Sequence, residues 1–348
     1  MLRILLFCTS LWLINSCAAP TQESSSDQAN NVLTDSILVT TDRFEFHSHS
    51  LVNLHHYLVQ TTAFIRKKGI TDKQQKLLTF LKDSSHVKNA ILQKEDEAIF
   101  FAMTYYEDQL IDRNLLFDSL MNHYRYEIMS VKRLNELGEK DLPDSLKMSL
   151  FKMHPIFEKY LWDTQKNRNI KWVAERINLI DKIEENCLSK ISQFYDSEFP
   201  WQKLRIEVCG NYTHWAGAYT SETPYPSVVI SSYRKNYQNY HGTEMVFHET
   251  SHTLPGVYEK VQPIINNKCK QYKKGKHSRL WHAILFYTAG MVAKEAMEKE
   301  VEGLEYSMFM HEFDVSGAYH EVLEKYWLPY LKKEIKLEEA LDQMVKNL

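Results

Sequence analysis

Apolar residues recur at three- and four-residue steps in three stretches of the first half of the chain, 51–65, 95–129 and 146–194, with Lys, Glu and Asp filling the intervals. That period puts the apolar positions on one side of an α-helix, so each stretch predicts amphipathic helix. Between the last two, LGEKDLPDSL at 137–146 interrupts the pattern as a loop, with Pro143 at the start of the next helix. The texture changes near residue 200. LRIEVCG alternates with period two, HWAGAYTS gives a second short strand, and SVVISS after Pro224 and Pro226 gives a third. Helical spacing returns in TEMVFHETSHTL, stops at Pro255-Gly256, resumes over about 278–302, and ends in two short helices separated near Pro329 and Lys336. Glycine follows the same division: only Gly69 and Gly138 precede residue 210. The pattern predicts an α+β protein, mostly α, with a helical region over 41–198 and a small mixed or antiparallel sheet with its helices over 199–348.

Composition narrows the class. Hydrophobic residues make up 44% and charged residues 25% of the 348, which places the chain among globular proteins and away from disorder. A net charge of -3 lacks the basic excess that phosphate neutralisation needs, so nucleic acid is excluded as the main partner. The cysteines of the folded body, Cys187, Cys209 and Cys269, are three at wide spacing, which allows one bridge at most and gives no zinc motif.

The N-terminus carries an address. In MLRILLFCTSLWLINSC, Arg3 precedes an apolar run from Ile4 to Ile14 that is too short to span a membrane and fits the core of a signal peptide, residues 1–16. Leu13-Ile14-Asn15-Ser16-Cys17 resembles a bacterial lipoprotein lipobox. The resemblance implies lipidation of Cys17, a lipid anchor in a membrane of the bacterial cell envelope, and cleavage before the cysteine. An ordinary secretory signal is the alternative. Residues 17–40, beginning AAPTQESSSDQANN after the cysteine, are expected to form a flexible tether. Ala18, where some bacterial lipoproteins carry a retaining Asp, favours the outer membrane.

The chemistry lies in HGTEMVFHETSHTLPG, residues 241–256. Residues four apart on a helix are offset by about 40° and one turn, so His248 and His252 project from one face and can reach one ion. Glu249 follows the first histidine, where a carboxylate can take a proton from metal-bound water. The chain holds 15 histidines, enough for such a string to arise by chance, so context carries the reading: a helix that follows a strand and stops just after His252. The bland alternative is a structural helix with two surface histidines.

His248-Glu249-Thr250-Ser251-His252 resembles the HExxH helix of the zincin zinc metallopeptidases. The resemblance covers about residues 200–300 and rests on this one motif. It implies a zincin-like sheet beside an active-site helix, a zinc ion, a peptide or protein substrate, and an edge strand that pairs with the substrate; 227–232 occupies the matching place. The metzincin branch requires Gly at 255 and His or Asp at 258, where this chain has Pro255 and Tyr258. The gluzincin, thermolysin-like branch takes a glutamate from a downstream helix, yet no acidic residue lies between Glu259 and Glu295.

HSRLWHAILFYTAG supplies a substitute. His282 stands among Leu280, Trp281, Ala283, Ile284, Leu285 and Phe286, so it is expected inside, where an imidazole needs a hydrogen-bond partner or a metal. His282 is therefore the expected third ligand, with His277, Glu259 and Glu295 as alternatives. Tyr258, Tyr287 and His320 are candidates to stabilise an oxyanion. His47, His49, His55 and His56 lack helical pair spacing and read as packing or capping residues. The expected function is a membrane-anchored zinc hydrolase, a peptidase first, with Glu249 as general base. The rival is a non-catalytic envelope lipoprotein with a vestigial or structural metal site. A metal-storage lipoprotein, binding several ions, is the third.

Overall fold

Five short strands form one mixed sheet: β1 (Ile37–Thr40), β2 (Phe44–His47), β3 (Leu204–Cys209), β4 (Ala218–Ser221) and β5 (Ser227–Ser231), in the order β1-β2-β3-β5-β4. β2, β3 and β5 run parallel, and β1 and β4 pair antiparallel at the two edges. This arrangement is seen in a computed structural model that describes residues 36–72, 75–76, 79, 93–210 and 217–348. The signal sequence, Cys17 and most of the expected tether lie outside those residues.

Parallel strands need a crossover, and the register Phe44↔Leu204 sends the whole segment between them across the sheet. Part of it covers one face: α1 (Ser50–Lys68), α2 (Gln93–Tyr105), α3 (Ser119–Met129) and α4 (Asp144–Phe157). Their buried side chains pack with Cys209, Tyr219 and Val229 of the sheet. The other face carries α5 (Asp163–Ala174), α6 (Ile177–Tyr195), α7 (Asn239–Ser251), α8 (Gln262–Gln271), α9 (Leu280–Glu300) and α10 (Leu337–Lys346), packed on Phe44, Phe46, Ile206, Val208, Val228 and Ile230. Both faces are covered, which is why SVVIS reads as an almost continuous apolar run. The protein is α+β and mostly helical, with this one small sheet.

The helical stretches resolve into six helices, α1 to α6. π-helical turns at Tyr106–Leu110 and Glu158–Trp162 follow α2 and α4, and Pro143 is the N-cap of α4. Three differences from the expected layout matter. β1 begins inside the stretch expected as tether, and β2 inside the expected helical region; each has only four residues, β1 pairs with β2 alone, and β2 finds its second partner, β3, far along the chain, too little for a local period to reveal. The two cores part near residue 162, so α5 and α6 pack with the second half of the chain. Finally, β5 lies inside the sheet between β3 and β4, so the edge strand beside the motif helix is β4, not 227–232. Of HWAGAYTS, Ala218–Ser221 is strand and 211–216 lie outside the described residues. Cys187, Cys209 and Cys269 are buried and free. Among the described residues no helix is long and apolar enough to cross a membrane.

Candidate metal centre

α7 is buried on every side: each residue from Gly242 to Ser251 is inside, between the sheet and α9. Its small polar residues tolerate this because Thr250 Oγ1 donates to the Val246 carbonyl and Ser251 Oγ to that of Phe247, both at 2.7 Å. Phe247 meets Phe44 of β2 edge-on, ring centroids 6.1 Å apart. On the opposite side α9 comes close at Gly290, where a Cβ would lie 2.8 Å from Glu244 Oε1. Glu244 Oε2 accepts from the Tyr306 hydroxyl at 2.6 Å and the Phe309 amide at 2.8 Å, tying the chain after α9 to α7, and burial pushes its pKa up to about 7.

This packing brings three histidines together. His248 lies in the last turn of α7, His252 is its C-cap, and His282 stands in the first turn of α9. Ring centroids are separated by 5.0 Å for His248 and His252, 5.4 Å for His248 and His282, and 5.2 Å for His252 and His282. One ring nitrogen from each lies within 4.8 Å of the others. Ligand nitrogens on a tetrahedral zinc at about 2.0–2.1 Å stand about 3.3 Å apart, so a modest closing-in suffices.

The donors suit a metal in protonation as well as position. Burial, with the neighbouring histidines adding, holds His248 and His252 well below the ordinary value, and burial with Arg279 holds His282 at about 4. All three are therefore neutral at pH 7, the form that ligates. His248 Nδ1 is buried without a hydrogen-bond partner. Phe286, one turn beyond His282, covers His248 at 3.8 Å between centroids. The carbonyl end of α7 adds a favourable dipole for a cation at His252. The three histidines can hold a metal ion.

Glu249 is 5% exposed, and burial raises its carboxyl to about 7 against the opposing hydrogen bond from Thr220. Thr220, on β4, places Oγ1 2.7 Å from both Glu249 Oε2 and the Glu249 carbonyl. The edge strand thus fixes the Glu249 carboxyl. Thr220 was not legible as a site residue: AYTS signals a strand, but nothing local says that its threonine meets residue 249.

The remaining candidates separate. His277 packs near Tyr319 outside the cluster, Glu259 is exposed, and Glu295 pairs with Lys190 at 2.8 Å. Tyr287 and His320 both lie against His311, away from the three histidines. Tyr258 does reach the site: its hydroxyl is 3.1 Å from His252 Nδ1. The early histidines lie on the other sheet face, where His49 Nε2 bonds the Val131 carbonyl, His55 Nδ1 the Tyr106 hydroxyl, and His56 the Val52 carbonyl and the Tyr219 hydroxyl. Compared with known proteins, the chain matches no family model, no curated protein and no solved structure.

Proposed function

We propose that this chain is a zinc-dependent peptidase anchored to the bacterial cell envelope through Cys17. The observation that carries the reading is the meeting of His248, His252 and His282, with the buried Glu249 directly following His248 on α7. Borderline-soft imidazole donors and an all-nitrogen set of three favour zinc and leave a position open for chemistry. When bound there, zinc supplies a Lewis acid that polarises a carbonyl and acidifies a water.

The chain's own residues do the rest. Glu249, poised near pH 7 by burial, accepts the proton of the attacking water and returns it to the departing amine. Thr220 holds the carboxyl in place from β4. β4 is an edge strand of the sheet among the described residues, and an extended peptide pairing along it would pass the Thr220–Glu249 contact. A structural metal site gains nothing from a carboxyl held in this way, which favours the enzyme over a non-catalytic lipoprotein.

The test uses the purified, zinc-loaded protein against a mixed peptide library. About one zinc per chain, cleavage by the wild type, and a loss of about 100- to 10,000-fold in Glu249→Gln with zinc retained are expected. Zinc binding without cleavage of any peptide, or cleavage unaffected by the substitution, would count against a peptidase.

A further inference from the structure

We infer that Tyr258 is the positioning residue of His252, fixing the tautomer and orientation of that ring for the metal. The inference rests on the metal-centre reading above. It assigns Tyr258 to ligand alignment instead of to the oxyanion role that its sequence position suggested.

His252 needs such a partner. As the C-cap of α7 it has helix on one side only, and the chain turns away immediately after it. Its Nδ1 faces the Tyr258 hydroxyl at 3.1 Å, which leaves Nε2 for an ion. With Nε2 ligated, the neutral ring carries its proton on Nδ1 and donates it to the phenol oxygen. Such outer partners fix the ring and raise its basicity.

The turn that delivers Tyr258 is built for it. The Gly256 amide donates to Ser197 Oγ at 3.0 Å. A Cβ on residue 256 would lie 2.5 Å from the Tyr195 carbonyl oxygen and 2.7 Å from Ser197 Cβ. Only glycine lets the Pro255-Gly256 turn press this closely on the end of α6. The chain then enters a π-helical turn, Val257–Val261, with Tyr258 directed back over His252. Trp281 braces it: its ring is 5.4 Å from that of Tyr258 and 6.0 Å from that of His252. His248 has no counterpart, its Nδ1 lacking any partner, so His252 is the ligand whose orientation the protein presets.

The experiment measures the zinc dissociation constant of wild type and Tyr258→Phe by chelator competition, with the thermal midpoint of the metal-free proteins as a check on folding. The phenylalanine keeps the ring against Trp281 and removes only the hydroxyl. Zinc binding is expected to weaken about 10- to 100-fold, while turnover at saturating zinc changes little and the metal-free midpoint holds. The cobalt-substituted variant is expected to show an altered visible spectrum. An unchanged zinc constant overturns the inference, and if turnover at saturating zinc also falls about 100-fold, Tyr258 acts on the reaction instead. A wild type that binds no zinc removes the metal-centre reading itself, a failure distinct from an unchanged constant in the variant.

Discussion

Two groups of histidines lie on opposite faces of the same small sheet, and they differ in what their ring nitrogens meet. On the α1 face, His47, His49, His55 and His56 each bond a protein hydroxyl or carbonyl, at distances from 2.7 to 3.0 Å. Of the three clustered histidines on the α7 face, His252 alone has such a partner among the described residues, Tyr258. Burial depresses histidine pKa on both faces, so it does not distinguish a packing histidine from a ligand. What distinguishes them is convergence: His49 Nδ1 and His55 Nε2 are also buried without a partner, but among the described residues only His248, His252 and His282 bring three ring nitrogens within 4.8 Å of one another.

Substitutions should therefore have opposite signatures on the two faces. The largest effect is expected for His282→Ala, which should weaken zinc binding by more than about 100-fold, beyond the range of an outer partner. Zinc held as tightly as in the wild type would place the third ligand elsewhere. His56→Ala should leave zinc binding alone and cost about 2–4 kcal/mol in urea unfolding, because it opens a buried site and removes the hydrogen bond to the Tyr219 hydroxyl. Loss of zinc with no loss of stability in that variant would erase the distinction.

Acid should expose the α1 face next. Burial holds His55 at about 3 and His56 at about 4, below their ordinary 6.5, with Arg125 nearby depressing both further. The folded state then binds fewer protons than the unfolded chain in that window. Stability from these groups is fully present above about pH 6.5 and is lost as pH falls towards their folded values, at about 1.4 kcal/mol per pH unit for each proton. His56→Gln should flatten the slope between about pH 6.5 and 4 by about one proton; a slope equal to the wild type in urea titrations would rule out His56 as its source. The smallest effect is expected at the edge strand. Thr220→Val should lower turnover by about 5- to 30-fold, the value of one hydrogen bond of about 1–2 kcal/mol, with zinc unaffected and Thr220→Ser restoring it.

The parts legible in sequence are those fixed by local spacing. His248 and His252 follow from one helical turn and the stop from Pro255-Gly256, while His282, expected inside from its apolar neighbours, is half-buried. The parts that were not legible depend on contacts distant along the chain. β2 is four residues long and acquires meaning only beside β3, with Phe44 paired to Leu204, and the equally short β1 adds to the sheet only through β2. The edge strand was misplaced because SVVIS has the stronger strand pattern, and that strength marks burial on both faces, the property of an inner strand. That Tyr258 meets His252 was not legible, because the π-helical turn that carries it back has no local signature.

The most direct test of the central claim is anomalous scattering at the zinc edge from crystals of the zinc-loaded protein. The account predicts one strong peak between the imidazoles of His248, His252 and His282, within about 2.0–2.1 Å of one nitrogen of each. A zinc-loaded protein with its peak elsewhere, or with no peak among these three rings, would contradict it.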